Sequence, residues 1–228
     1  NNLTSVDQST DTCSNNFAVG NSLYRFNSGV TISEGNLQLY VSGDWRSLIS
    51  TIGVSTGKWY AEVKFVSVHS GTNNAKAGIV ALDGTVDEDV AQAHVGGSST
   101  GNNYGYENDA TIDSNGSNAS YGSTFTAGDI IGVAMDLDNN KLYFSKNGTF
   151  QNSGDPTSGS TGTGAISINS DTYGICASGY YGTMALNYGS PPYAVSSGNA
   201  DANGHGNFEY AVPSGYFALN TKNLSEFG

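Results

Sequence analysis

The sequence predicts an all-β protein of antiparallel strands, on three observations. The first is residues 125–150, FTAGDIIGVAMDLDNNKLYFSKNGTF, which read as three strands and two tight turns. Ile131, Val133, Met135 and Leu137 alternate and so share one face of a strand. The adjacent Asn139 and Asn140 suit a hairpin turn, because Asn tolerates positive φ. Leu142 and Phe144 return on the next strand, with Lys141, Tyr143 and Ser145 on its other face, and Asn147-Gly148 reverses the chain again. The second is residues 59–65, where Trp59, Ala61, Val63 and Phe65 alternate with Tyr60, Glu62 and Lys64, predicting a half-buried strand with its polar side outward. The third is composition: 31 Gly against 4 Pro, with long Ser, Thr and Asn runs, fits many short strands joined by turns.

The other elements follow in order. Residues 1–33 form an N-terminal arm with few periodic apolar positions, in which Phe17, Leu23, Tyr24 and Phe26 are expected to pack on the body. Leu37, Leu39 and Val41 mark a strand over 34–41. Gly43-Asp44-Trp45-Arg46 reads as a turn with two large exposed side chains, and 48–54 resumes the strand. A loop covers 69–74, and 77–82 is a short apolar central strand. Residues 83–101 form a long acidic and then glycine-rich connection, where ligand loops tend to lie. Tyr104-Gly105-Tyr106 is a strand and 109–123 a polar hairpin. The Ser/Thr/Gly-rich 154–164 reads as mobile. Residues 166–177 and 183–188 supply the last strands, 189–206 a linker loop, and 207–228 an apolar C-terminal extension.

These motifs carry a family resemblance. The Gly128-Asp129-Ile130-Ile131-Gly132-Val133 strand, the Asp136-Leu137-Asp138 hairpin and Leu142-Tyr143-Phe144-Ser145-Lys146-Asn147-Gly148 resemble the central signature of SPRY domains. Gly57-Lys58-Trp59-Tyr60-Ala61-Glu62-Val63 is similar to the strand opening that domain, and Ala77-Gly78-Ile79 to its partner. The resemblance runs over about 34–188. It implies a two-sheet antiparallel β-sandwich of the concanavalin A-like (SPRY jelly-roll) type, used as a binding module and not as an enzyme. By position it implies a ligand surface of loops on one sandwich edge: Trp45 and Arg46, the loop after Leu82, Tyr104 and Tyr106, and Gly179-Tyr180-Tyr181-Gly182. Tyr180 and Tyr181 lead this set, whereas Tyr104 and Tyr106 could equally pack between the sheets. The 14 Tyr exceed what a core of this size needs, and exposed Tyr gives rigid, amphipathic contact area.

Two further stretches resemble SPRY-containing bacteriophage proteins. Asp11-Thr12-Cys13-Ser14-Asn15-Asn16-Phe17 is similar to an N-terminal motif of that group, departing from it at Cys13, where a Pro is frequent. The ending carried by Phe208, Tyr210, Pro213, Gly215, Tyr216, Leu219, Asn220, Thr221, Asn223 and Leu224 resembles their C-terminal segment, with one extra residue before Ala218. The resemblance implies a virion protein: a tail-fibre or similar appendage that recognises a host surface glycan or protein, or else a capsid-decoration or fibre-building subunit. In the second case the arm and tail would contact other virion subunits, in a trimer such as fibres commonly form.

Composition narrows the partners and chemistry. The net charge is −12, from 20 acidic against 8 basic residues, and such a field disfavours nucleic acid and anionic membrane. No apolar run approaches the roughly 20 residues that span a bilayer. His69, His94 and His205 lack metal-ligand spacing. A paired-carboxylate hydrolase needs two acids about 5–10 Å apart. Asp136 and Asp138 border a hairpin where Asp is a turn residue, and Glu62 faces Lys64 in an expected surface ion pair. Catalytic residues and cofactors are therefore not expected. Calcium is a weaker alternative, at the acidic loop of Asp83, Asp87, Glu88 and Asp89 or at Asp113-Ser114-Asn115-Gly116, neither with regular ligand spacing. Cys13 and Cys176 read as two buried thiols, with a bridge between them the alternative.

Overall fold

A computed structural model describes residues 12, 14–23, 29–71, 74–82, 94–97 and 101–228. Cys13, Tyr24, Phe26 and the acidic residues 83–89 lie outside them, so the Cys13–Cys176 bridge and the first calcium cluster fall outside the described residues.

Among the described residues, thirteen strands pair into one continuous network, antiparallel except at its last strand, that folds over a common core. They are β1 (Val30–Ser33), β2 (Gln38–Ile49), β3 (Lys58–Val68), β4 (Ala75–Ala81), β5 (Asn103–Glu107), β6 (Thr111–Ser114), β7 (Ser117–Ser120), β8 (Ile130–Asp136), β9 (Lys141–Lys146), β10 (Thr149–Phe150), β11 (Ile166–Ser167), β12 (Tyr173–Asn187) and β13 (Phe217–Ala218). The main path runs β10-β9-β8-β3-β12-β4-β5-β6-β7. The fold is the expected all-β sandwich. The long strand β12 joins its two halves, pairing with β4 over 173–179 and with β3 over 182–187, while β2 lies along its other edge.

The alternating residues behave as the period-2 pattern demands. Trp59, Ala61, Val63 and Phe65 of β3, Ile131, Val133 and Met135 of β8, and Leu142 and Phe144 of β9 all point into the main core. Asn147-Gly148 makes a two-residue turn between Lys146 and Thr149, both residues at positive φ (48° and 80°). A Cβ on Gly148 would also stand 2.7 Å from Tyr210 Cδ1. Gly148→Ala is therefore expected to cost about 1–2 kcal/mol, read from the shift in urea midpoint. The preceding hairpin differs from expectation: Asp136 pairs with Lys141, so its loop holds four residues, and only Asn140 takes positive φ (54°).

The other face of β3, β8 and β9 departs further from the sequence reading. Tyr60, Ala134 and Tyr143 do not face solvent; they form a second core with Phe17, Phe208, Tyr216 and Ala218. The C-terminal residues thus fold back over the outer face. Their β13 pairs in parallel with β3 at Trp59 and Tyr60, where β3 has left β12. Several residues of the tail motif then have a local reason. Leu219 is in the main core. Asn220 caps α1 (Thr221–Phe227) by accepting from Lys222 and Asn223 N–H. Asn223 Nδ2 donates to Asp201 Oδ2 (2.7 Å) and to Ala218 O (2.9 Å). The arm is tied to the same tail, with Ala18 N–H donating to Leu219 O and Asn16 N–H to Thr221 Oγ1. Phe208, fully buried and edge-on to Tyr60 at 5.2 Å, is the centre of this layer. Phe208→Ala is expected to cost about 3–5 kcal/mol in chemical denaturation.

Three more expectations are corrected. Residues 43–46 are not a turn, because β2 runs through them with a local irregularity at Gly43 and Asp44, both at positive φ. Residues 154–164 are anchored: Asp155 caps a 3-10 turn (Pro156–Thr161), Pro156 is buried, and Tyr216 OH donates to Pro156 O. Leu23 is 88% exposed and packs on nothing substantial, unlike Phe17.

Candidate functional site

The long strand β12 cannot stay regular while it changes partners. Its register slips between Gly179 and Tyr181, a bulge at the point where β4 ends as neighbour and β3 begins. The flanking backbone holds the bulge in place, Tyr180 N–H donating to Asn74 O (3.0 Å) and His69 N–H to Tyr181 O (3.1 Å). Tyr180 and Tyr181 are therefore strand residues, not loop residues. The bulge aims both rings outward, leaving them 36% and 39% exposed.

Around them the structure assembles an aromatic surface. The two Tyr rings meet edge to face at 5.1 Å. His69, from the end of β3, lies 5.1 Å from Tyr181 and 6.2 Å from Tyr180. Trp45, at the irregularity in β2, lies 6.3 Å from Tyr180 and 4.6 Å from His94. Tyr40, opposite Thr183 on β2, is also exposed and extends the surface along the strand. Rings locked against one another lose little further entropy on binding, the property that makes aromatic residues effective anchors.

Beneath Trp45 sits a buried polar cluster. Lys76 Nζ, 5.1 Å from the Trp45 ring centre, contacts Asp113 Oδ2, lies 3.4 Å from Glu107 Oε2 and 2.9 Å from His94 Nδ1. Burial, then the charge of Lys76, holds His94 below its usual value, so the ring is neutral near neutral pH.

Of the residues expected on the ligand surface, the structure brings together Trp45, Tyr180 and Tyr181. Arg46 is buried (4% exposed), its Nη1 donating to Trp45 O and pairing with Asp44. Tyr104 and Tyr106 are core residues with their rings between the strands, because β5 lies inside the sandwich. Their hydroxyls are used internally: Tyr104 accepts from Asn169 N–H and Tyr106 donates to Ser123 O. His69 and His94 were missed as members. The available signal was position, since 69–74 and the 83–101 connection border strands that β12 pairs with.

The carboxylates do not make a hydrolytic pair. Glu62 is fully buried and, instead of pairing with Lys64, accepts from the backbone N–H of Glu209 and Tyr210 and from Asn187 Nδ2. Asp136 is buried against Lys58 (2.9 Å), and Asp138 accepts from Gly57 N–H. Asp113 belongs to the Lys76 cluster, and among the described residues no group of three or more His, Cys, Asp or Glu is arranged to hold a metal.

Comparison with known proteins agrees with this architecture. Residues 58–163 match the model of the SPRY domain. No curated protein matches the chain significantly. Among solved structures, the chain is similar to the SPRY domain of human HERC1, with a TM-score of 0.53 at 17% identity, covering 70% of this chain and 92% of that one. A second human SPRY domain aligns with a TM-score of 0.49 at 14% identity, over 74% of this chain and 98% of the other. Trp45, Tyr180 and Tyr181 lie outside the span of the family match, on strands that pair with β12 or belong to it. SPRY domains are protein-binding modules and generally not enzymes, and the match supports a generic binding role. The stretch 58–163 is thus similar to a SPRY domain, within a sandwich that extends beyond it on both sides.

Proposed function

We propose that this chain is a non-enzymatic binding module displayed on a phage virion, on a tail fibre or similar appendage, where the surface of Trp45, His69, Tyr180 and Tyr181 recognises a molecule on the host surface. The observation that carries the binding site is the pair of exposed, mutually packed Tyr rings raised on the β12 bulge. The SPRY domain favours a protein ligand. A glycan is the second reading, because stacked aromatic faces suit the apolar faces of sugars. The phage setting rests on the similarity of the 11–17 motif and the C-terminal ending to phage proteins.

The alternative, a structural subunit that uses its tail to hold neighbours, is less supported. Phe208, Tyr216, Ala218 and Leu219 are buried within the same chain and are not available to a second subunit. The test is binding of the purified chain to host cells that are untreated, protease-shaved or periodate-oxidised. Saturable binding lost on shaving indicates a protein ligand, and loss on oxidation a glycan. Absence of binding, with assembly into fibres or onto capsids, would favour the structural reading.

A further inference from the structure

The cluster beneath Trp45 has more chemistry in it than an ion pair requires. Lys76 on β4 stands directly opposite Glu107 on β5, and Asp113 on β6 stands opposite Gly105, so all three side chains fall on one face of three adjacent strands. They are shielded from water: the Lys76 and Glu107 side chains are each 1% exposed and that of Asp113 13%. Lys76 Nζ touches Asp113 Oδ2. The other oxygen, Asp113 Oδ1, accepts from Asn118 Nδ2 at 2.6 Å. Among the described residues, the Glu107 carboxylate meets no hydrogen-bond donor beyond the adjacent Lys76.

A dry, enclosed amine and carboxyl are costly as separate charges, and a covalent bond between them removes both. We propose that Lys76 and Asp113 are joined by an intramolecular amide bond between their side chains, formed by the protein itself with Glu107 relaying the proton. The Lys76 amine adds to Asp113 Cγ, forming the C–N bond and placing negative charge on Oδ1. Asn118 Nδ2, already donating to Oδ1, holds that charge as an oxyanion donor does. Two protons pass from the nitrogen to Oδ2, one directly across the Lys76–Asp113 contact and one through Glu107, and Oδ2 leaves as water when its C–O bond breaks. The products are one amide and one water, with no oxidant, reductant or cofactor.

The surroundings fit these roles. Burial, with further upward pushes from Asp113 and Asp109 against the downward pull of Lys76, raises the Glu107 carboxyl to about 7, where a group can both accept and give a proton near neutral pH. The neutral His94 Nδ1 accepts from Lys76 and holds the amine over the carboxyl. The Trp45 ring covers the nitrogen, and Val95, fully buried, closes the same face. The bond would cross-link β4 to β6 under the aromatic surface.

The test is the mass of the purified, reduced and denatured 228-residue chain. One lost water leaves it about 18 Da below the sequence mass, and a digest contains a branched peptide joining the Lys76 and Asp113 segments. Asp113→Ala and Glu107→Gln, checked for folding by circular dichroism, are expected at full sequence mass. A wild-type chain at full sequence mass overturns the proposal without reference to any variant. So does a lost water that persists in Asp113→Ala, which would place the dehydration elsewhere. Loss of water in Glu107→Gln would overturn the relay assigned to Glu107.

Discussion

Glu62→Ala is expected to lower stability by about 3–5 kcal/mol and to release the C-terminal layer from the sheet. The carboxylate sits at the centre of the outer face of β3, yet it binds the tail and not solvent. Its oxygens accept from Tyr210 N–H (2.8 Å), Glu209 N–H (3.0 Å), Asn187 Nδ2 (3.2 Å) and Tyr60 OH (3.3 Å). Removing it strands two backbone donors and a side-chain amide in an apolar layer. Urea denaturation measures the loss, and limited proteolysis within 207–228 reports the release. Glu62→Gln keeps one acceptor oxygen and is expected to lose less.

The same group gives a signed pH dependence. Burial raises the Glu62 carboxyl, against the downward pull of the Tyr210, Glu209 and Asn187 hydrogen bonds. The folded state therefore holds the proton more tightly than the unfolded chain. Its contribution is fully present below the unfolded value and is lost as pH rises through the folded one. Glu62→Gln should remove that part of the decline, which denaturation midpoints across the weakly acidic range would show.

Glu62 also shows where the sequence stops being informative. Alternation along β3 correctly separated Trp59, Ala61, Val63 and Phe65 from Tyr60, Glu62 and Lys64, because a pleated strand has only two sides. Which side meets water is a different question. Its answer lay in Phe208 and Tyr216, about 150 residues downstream, and nothing local announces that they cover Tyr60. The Asn147-Gly148 turn was legible because its φ requirement is satisfied by the two residues that make it. The β12 bulge was not, since it follows from a change of partner strands, although Gly179 and Gly182 bracket it. For the same reason Tyr180 and Tyr181 read as a loop, and Tyr104 and Tyr106 could not be separated from them by residue type. Only the position of β5 inside the sandwich makes one pair core and leaves the other at the surface.

Replacing both exposed rings has the opposite profile to Glu62→Ala. Tyr180→Ala/Tyr181→Ala is expected to weaken ligand binding by about 100-fold or more, as central aromatic anchors do. Stability should change by about 1 kcal/mol or less, because both rings are partly solvated and neither enters a core cluster. Trp45→Ala should weaken binding less, since that ring lies half-buried beside His94 and touches the ligand surface only at its edge.

The most direct measurement is the affinity of the wild-type chain and of Tyr180→Ala/Tyr181→Ala for host cells, with both proteins matched for folding by denaturation midpoint. A binding surface centred on the bulge predicts saturable wild-type binding that the double variant loses while its midpoint holds. Equal binding by the two folded proteins would contradict it and move the contact surface away from β12.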